Sequence, residues 1–269
     1  MAYRFSLAFL TAFEVEPPEA VRIAAECGYD LVGLRLLPAA KDGPYRIMTD
    51  DGLLAETLAA MKETGVTVAD IEIIRIGESF DLAATEPFLV RGQQLGAKHI
   101  LVAGDDPDEA RFTVNYGRFC DLAASYGLTC DLEFMPWTQV PNLTHAMRVI
   151  RAAGRSNAGL LVDALHFDRS HSSLAQLADV PPALLHYVQM NDGLADYDPS
   201  HDGLIRIARE ERLYPGEGAI DLKGILGVIA PDSVISLEIP HLARARTTPA
   251  RERARQAIEA MKHVISQMP

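Results

Sequence analysis

The chain has 269 residues, 48% of them hydrophobic and 23% charged, with 25 basic against 37 acidic side chains and a formal net charge of −12. That length suits one (β/α)8 unit and that apolar content supplies a large core, which excludes disordered, collagen-like and disulfide-scaffold proteins. The acid excess argues against nucleic-acid binding, which needs Lys and Arg to neutralise phosphates, and suits a soluble, cytoplasmic enzyme.

In chain order, the opening run Arg4 to Leu10 reads as a first strand. It has a faint look of a signal peptide, but it lacks a small-residue cleavage site and runs straight into Glu14 and Glu16. Pro17 and Pro18 sit where a first helical turn starts. A second strand is expected over Leu31 to Leu37. An amphipathic helix follows from Asp50 to Thr64, with Leu54, Leu58 and Met61 as its inner face. Further strands are expected at Val66 to Ile74, His99 to Ala103, Leu128 to Phe134, Gly159 to Ala164, Leu185 to Met190 and Val234 to Ile239. Asn191 to Asp221 reads as a long irregular stretch and a candidate lid. The last helix carries Ala254, Ile258, Met261 and Ile265 on one face.

Gly28, Gly65, Gly96, Gly127 and Gly154 recur every 27 to 37 residues, each where a helix should stop before the next strand. A strand–helix–Gly unit of that period implies βαβ crossovers and a parallel sheet. The strand runs are nearly all apolar, as in sheets covered on both faces. Eight units in one chain point to a single α/β domain over 1–269, a closed (β/α)8 TIM barrel, with an open doubly wound sheet as the alternative. Cys27, Cys120 and Cys130 form no CxxC pair and read as small hydrophobes. No apolar run reaches the roughly 18 residues that span a membrane, so no membrane partner is expected.

In such barrels the active site lies at the C-terminal ends of the strands. Four apolar runs end there in polar residues: Glu133, Asp163, Gln189 and Glu238. Carboxylates converging on one rim repel unless a cation relieves them. An oxygen-rich set suits one divalent ion, Mg2+, Mn2+ or Co2+, with Zn2+ as a further candidate. Arg212 offers a planar donor fork for a substrate hydroxyl, carboxylate or phosphate. Arg35, Glu72, Arg75 and Trp137 are candidates to line the pocket, with Phe134 as wall or packing, and His186 reads as structural at the opposite mouth.

The sequence resembles the xylose-isomerase-like TIM barrels, a group of sugar (phosphate) isomerases and epimerases. The resemblance rests on the opening LAFLTAF…PPEAVRIAAECGYDLVGLRL, on the polar strand ends, and on Arg212-Leu-Tyr-Pro-Gly-Glu-Gly218 followed by Ile220-Asp-Leu. It implies metal ligands at Glu133, Asp163, Gln189 and Glu238, acid–base roles for Glu133 and Glu238, a substrate or proton-transfer role for His166, and dimers or tetramers. The family's seventh-strand ligand is usually His, and here it is Gln189. Gln at that place also occurs in related 3-dehydroshikimate dehydratases. Their R-H-x-R-x-x-P-G-Q-G stretch, however, reads Arg209-Glu-Glu-Arg212-Leu-Tyr-Pro-Gly-Glu-Gly here.

The expected activity is therefore a metal-dependent sugar, sugar phosphate or cyclitol isomerisation or epimerisation by proton abstraction beside a carbonyl. A dehydratase-like lyase and a non-catalytic ligand-binding barrel are the alternatives. A DNA-repair endonuclease on this fold would need three zinc ions and many more His ligands. A nucleotide-dependent redox enzyme would need a G-x-G-x-x-G after the first strand, and the chain has none.

Overall fold

Each expected strand run nucleates a strand, and the helices between them return the chain to the same end of the sheet. A computed structural model of the protein describes residues 3–39 and 43–268. The strands are β1 (Arg4–Leu7), β2 (Leu31–Arg35), β3 (Thr67–Ile76), β4 (His99–Gly104), β5 (Thr129–Glu133), β6 (Ala158–Asp163), β7 (Tyr187–Met190) and β8 (Val234–Leu237). They pair in parallel and in sequence order, and β8 closes on β1 to complete a barrel. The helices are α1 (Pro17–Cys27), α2 (Asp51–Thr64), α3 (Glu86–Gln94), α4 (Glu109–Ala124), α5 (Leu143–Ala153), α6 (Ala164–Arg169), α7 (Leu174–Ala178), α8 (His201–Glu210), α9 (Leu222–Val228), α10 (Leu242–Ala245) and α11 (Ala250–Ser266). The open-sheet alternative is therefore excluded.

The punctuating glycines do what their spacing implies. All five have φ between 61° and 83°. Gly28 is representative: it ends α1 in the left-handed conformation, and its N–H reaches the carbonyls of Ala24 and Ala25. Helix starts are fixed by side-chain acceptors, with Asp50, Asp108 and Asn142 capping α2, α4 and α5.

Three local expectations are corrected. The inner face of α2 is Leu53, Leu54, Thr57 and Ala60, while Leu58 is 38% exposed. Thr57 can be buried because its hydroxyl donates to the Leu53 carbonyl at 2.7 Å. The stretch from 191 to 221 is not wholly irregular. It contains α8, capped by Ser200, with Ile207 and Ala208 buried. The first strand stops at Leu7, because Phe9–Thr11 forms a 3-10 turn. That turn stitches β1 to the site. The Thr11 hydroxyl donates to the Leu237 carbonyl and accepts from the Ile239 N–H, both at 2.7 Å, which fixes the backbone on either side of Glu238.

The main apolar core lies between barrel and helices, from Val21 and Val32 through Phe119 and Leu132 to Ile258 and Met261. The barrel interior is unusually polar. Ser6, Asp70, Glu72, Asp131, Glu133, Asp163, Gln189, Ser236 and Glu238 are all buried. Cys120 and Cys130 are buried and Cys27 half-buried, all as free thiols. Among the described residues no helix is long and apolar enough to cross a membrane.

Candidate active site

A cavity of about 260 Å3 opens at the C-terminal mouth, lined among others by Glu133, Glu238, Arg212, His166, Trp137 and Arg35. Glu133 is the last residue of β5 and Asp163 the last of β6; Gln189 lies in β7, and Glu238 follows β8. The β-pleat brings them to one rim because parallel pairing keeps strand ends level: Asp163 is opposite Gln189, and Gln189 is opposite Ser236, two residues before Glu238.

Arg212 is the hub of the site. One guanidinium nitrogen donates to Asp163 Oδ2 at 2.6 Å and lies 2.9 Å from Glu238 Oε2. Its Nε donates to the Ala208 carbonyl at 2.8 Å, and the other terminal nitrogen is 3.5 Å from His166 Nε2. Asp163 also accepts from the His166 backbone N–H at 3.1 Å, capping α6, and from the Asn191 amide at 2.7 Å. Gln189 donates to Glu238 Oε1 at 3.2 Å. His166 Nε2 is 3.7 Å from Glu133 Oε1, and the Trp137 ring meets the imidazole edge-on at 4.9 Å. Below the rim Arg35 pairs with Glu72.

Burial and like charge shape the titration. Burial pushes Glu238 up to about 7, with Glu72 and Asp163 adding to the effect and Arg212 opposing it. Glu133 is pushed well up by burial, then by Glu238 and Asp163. Burial also acts on Asp163, but Arg212, His166 and its hydrogen bonds overcome it and hold the carboxyl below its ordinary value. Burial lowers His166 to about 4, so it is neutral at neutral pH. A carboxyl raised above its unfolded value contributes stability that is lost as pH rises through the folded value. His166 works the other way: it is neutral in the fold but still sheds its proton near pH 6.5 in the unfolded chain, which raises stability with pH, so the net loss comes from the glutamates. EDTA-treated protein is expected to lose thermal stability between pH 6.5 and 8, and Glu238→Gln to lose less. Parallel melting curves for the two proteins across that range would refute this.

The Pro-Gly-Glu-Gly motif turns out to be scaffold for Arg212. The Asp192 carboxylate accepts the N–H groups of Gly193, Gly216, Gly218 and Ile220 at 2.8–3.1 Å. A backbone bridge between Asp192 and Leu213 pins the start of this loop, and one between Glu211 and His241 ties it to the end of β8. Glu217 accepts from Tyr214 N–H and from Arg244. Any side chain at Gly218 would run into Asp192 and the Gly193 carbonyl. Asp192→Asn replaces a charged acceptor by a neutral one whose amide protons face N–H groups. A loss of about 2 kcal/mol is expected, read by denaturant unfolding, together with weaker substrate binding as Arg212 shifts.

The structure thus brings together Glu133, Asp163, His166, Gln189, Arg212, Glu238 and Trp137, with Arg35 on the wall and Glu72 behind it. Arg75 also lines the cavity and pairs with Asp105. Phe134 is wholly buried in the core. The residues suit a hard divalent cation. Glu133 Oε1 and Gln189 Oε1 are buried acceptors without a hydrogen-bond partner, and the donor set is oxygen-rich. Glu133, Asp163 and His166 place ligand atoms within 4.8 Å of one another, which adds the imidazole as a candidate ligand. Asp192 and Asn191 were missed from sequence. A carboxylate just past a strand, followed by a Gly-rich loop rich in free N–H groups, was the available signal.

The family described as xylose isomerase-like TIM barrel matches residues 21–264. An inosose isomerase of Bacillus velezensis is 29% identical over 153 residues, which cover 54% of this chain and 51% of that protein. A 3-dehydroshikimate dehydratase of Pseudomonas aeruginosa is 29% identical over 61% of this chain and 26% of that protein. The chain therefore spans about half the length or less of these curated relatives. The structure of an IolI protein binding a zinc atom superposes with a TM-score of 0.79 at 19% identity, covering 99% of each chain.

Proposed function

Given that the chain belongs to the xylose isomerase-like TIM barrel family, we propose that it is a divalent-metal-dependent isomerase or epimerase of a sugar or cyclitol, working by proton transfer at the carbon beside a carbonyl. The observation that carries this reading is that two buried carboxylates, Glu133 at the end of β5 and Glu238 just past β8, line one cavity together with Arg212 and His166.

Removing a proton next to a carbonyl leaves negative charge on the carbonyl oxygen. Without stabilisation of that charge the barrier is prohibitive. A cation held by Glu133, Asp163, Gln189 and Glu238 would supply Lewis-acid stabilisation of the enediolate. The chain's own groups do the rest. One glutamate takes the proton as carboxylate, and the other returns a proton as carboxylic acid. Return on the opposite face gives an epimer, and return to the neighbouring carbon gives an isomer. Arg212 is held by the Ala208 carbonyl and Asp163, so its second terminal nitrogen can donate to a substrate oxygen without moving. Neutral His166 can accept or donate at Nε2 and is kept in place by Trp137. The curated similarity to inosose isomerases favours a cyclitol ketone as substrate.

Expulsion of a β-hydroxyl from the same enediolate would give dehydration, and Gln189 together with the dehydratase relative supports that second reading. One experiment separates them. The metal-loaded protein is incubated in D2O with inosose, with D-ketoses and with 3-dehydroshikimate, and followed by NMR. Solvent deuterium at the carbon beside the carbonyl, with a new isomer, supports the isomerase. Loss of water to an aromatic product from 3-dehydroshikimate alone supports the lyase. No exchange into any of them sinks the proton-transfer reading.

A further inference from the structure

We infer that His99, Asp131 and His186 form a second divalent-cation site, at the N-terminal mouth of the barrel, of the nitrogen-rich kind that takes zinc, cobalt or nickel. His99 opens β4, Asp131 lies in β5 one pleat period below Glu133, and His186 immediately precedes β7. All three therefore sit at the end of the barrel away from the catalytic cavity. Asp131 is fully buried, while the His99 and His186 side chains are 17% and 19% exposed, so an ion can reach them from solvent.

The geometry is close to that of a bound ion. His186 Nδ1 is 2.7 Å from Asp131 Oδ1, and His99 Nδ1 is 3.7 Å from Asp131 Oδ2. The Thr129 hydroxyl sits between the last two, at 2.8 Å from the imidazole and 2.6 Å from the carboxylate. One ligand atom from each of the three residues lies within 4.8 Å of the others. A tetrahedral ion bonded at about 2.0–2.2 Å needs ligand atoms roughly 3.3–3.5 Å apart, so about 1 Å of side-chain rotation completes the site. Two imidazoles and one carboxylate select zinc-like ions, whereas the oxygen-rich upper site suits Mg2+ or Mn2+.

A separate observation places an unpartnered buried acid beside the site. Asp70 stands opposite His99 in the β3–β4 register and is 1% exposed, with neither carboxylate oxygen hydrogen-bonded. The Tyr187 hydroxyl, also fully buried, has no partner either. Burial, then the nearby Glu72, Glu238 and Asp131, push the Asp70 carboxyl well above its ordinary value, with Arg35 opposing them. A carboxyl so placed avoids the cost of a buried charge by holding its proton, and a cation at the lower mouth would favour its ionised form.

The test uses Glu133→Gln/Glu238→Gln protein, stripped of metal, as the parent, because its upper site has lost two carboxylates. Equilibrium dialysis against Zn2+ is expected to find one ion per chain, with a rise in Tm. X-ray absorption of that zinc is expected to show two imidazoles in its first shell; the upper site offers one, His166. Adding His99→Gln or His186→Gln should remove the ion and the rise in Tm. If either variant fails to fold, the absorption result on the parent decides alone. The parent binding no zinc, its zinc carrying fewer than two imidazoles, or unchanged stoichiometry in both folded His variants would overturn the site. None of these outcomes depends on turnover, so the catalytic reading stands or falls separately.

Discussion

Glu238→Gln and Glu133→Gln are each expected to lower kcat by about 10³- to 10⁴-fold, with much smaller changes in KM. The magnitude follows from what a positioned acid or base contributes to proton transfer at carbon, about 10²- to 10⁴-fold, at a site where the same side chain is also a candidate ligand. Gln keeps the size and hydrogen-bonding reach of Glu but has no proton to exchange. In Glu238→Gln the contact with Gln189 can re-form, since an amide oxygen still accepts from Nε2. Substrate binding is therefore less affected than turnover. The two variants should also differ. If one glutamate removes the proton and the other returns it, the variant lacking the first loses deuterium exchange from D2O. The variant lacking the second keeps exchange at the substrate carbon while losing product. NMR-monitored exchange separates them. Equal, modest losses in both, within tenfold of the parent, would leave the glutamates as structural acids of the barrel rim.

Much of this arrangement was legible in the sequence because it depends on local signals. Near-continuous apolar runs separated by left-handed glycines specify a parallel barrel, and strand length alone puts Glu133, Asp163, Gln189 and Glu238 at one end. What the residues do to one another was not legible. Arg212 meets Asp163 across 49 positions of sequence and His186 meets Asp131 across 55, contacts that depend on how loops and strands pack around the barrel. The motif around Gly216 and Gly218 carries the family resemblance in the sequence, but that its amides wrap Asp192 depends on the fold, because a buried carboxylate gathers whatever N–H groups the loop leaves free. Helix α8 escaped for a similar reason. Its Gly- and Asp-rich flanks read as loop, while Ser200 had already capped a helix with a buried Ile207 and Ala208 face. Leu58 misled because a helix stripe read from hydrophobicity alone ignores Thr57, which buries by bonding its own backbone.

Arg212→Met should be the most destabilising single change in the site, and its cost should depend on pH. The guanidinium is buried with two carboxylates, Asp163 and Glu238, and two carbonyls within reach. Removing one partner of a buried pair leaves uncompensated charge and typically costs about 3–5 kcal/mol. For a chain of this size that is on the order of 6–15 °C in Tm. Asp163 keeps Asn191 and the His166 N–H, but Glu238 keeps only the Gln189 amide. Arg212 opposes the burial that raises Glu238, so without it Glu238 should move further above its value of about 7, and Asp163 should rise as well. Both can then escape the penalty by taking up protons. The stability gap between parent and variant is thus expected to be largest near pH 8 and to narrow towards pH 5. Thermal melts of metal-stripped protein at the two pH values measure this directly. A divalent cation offers the freed carboxylates another counter-charge, so added Mn2+ should raise the Tm of Arg212→Met more than that of the parent. A gap that stays constant with pH and is indifferent to Mn2+ would mean that Arg212 contributes packing rather than charge. The site's electrostatics would then have to be assigned to other groups.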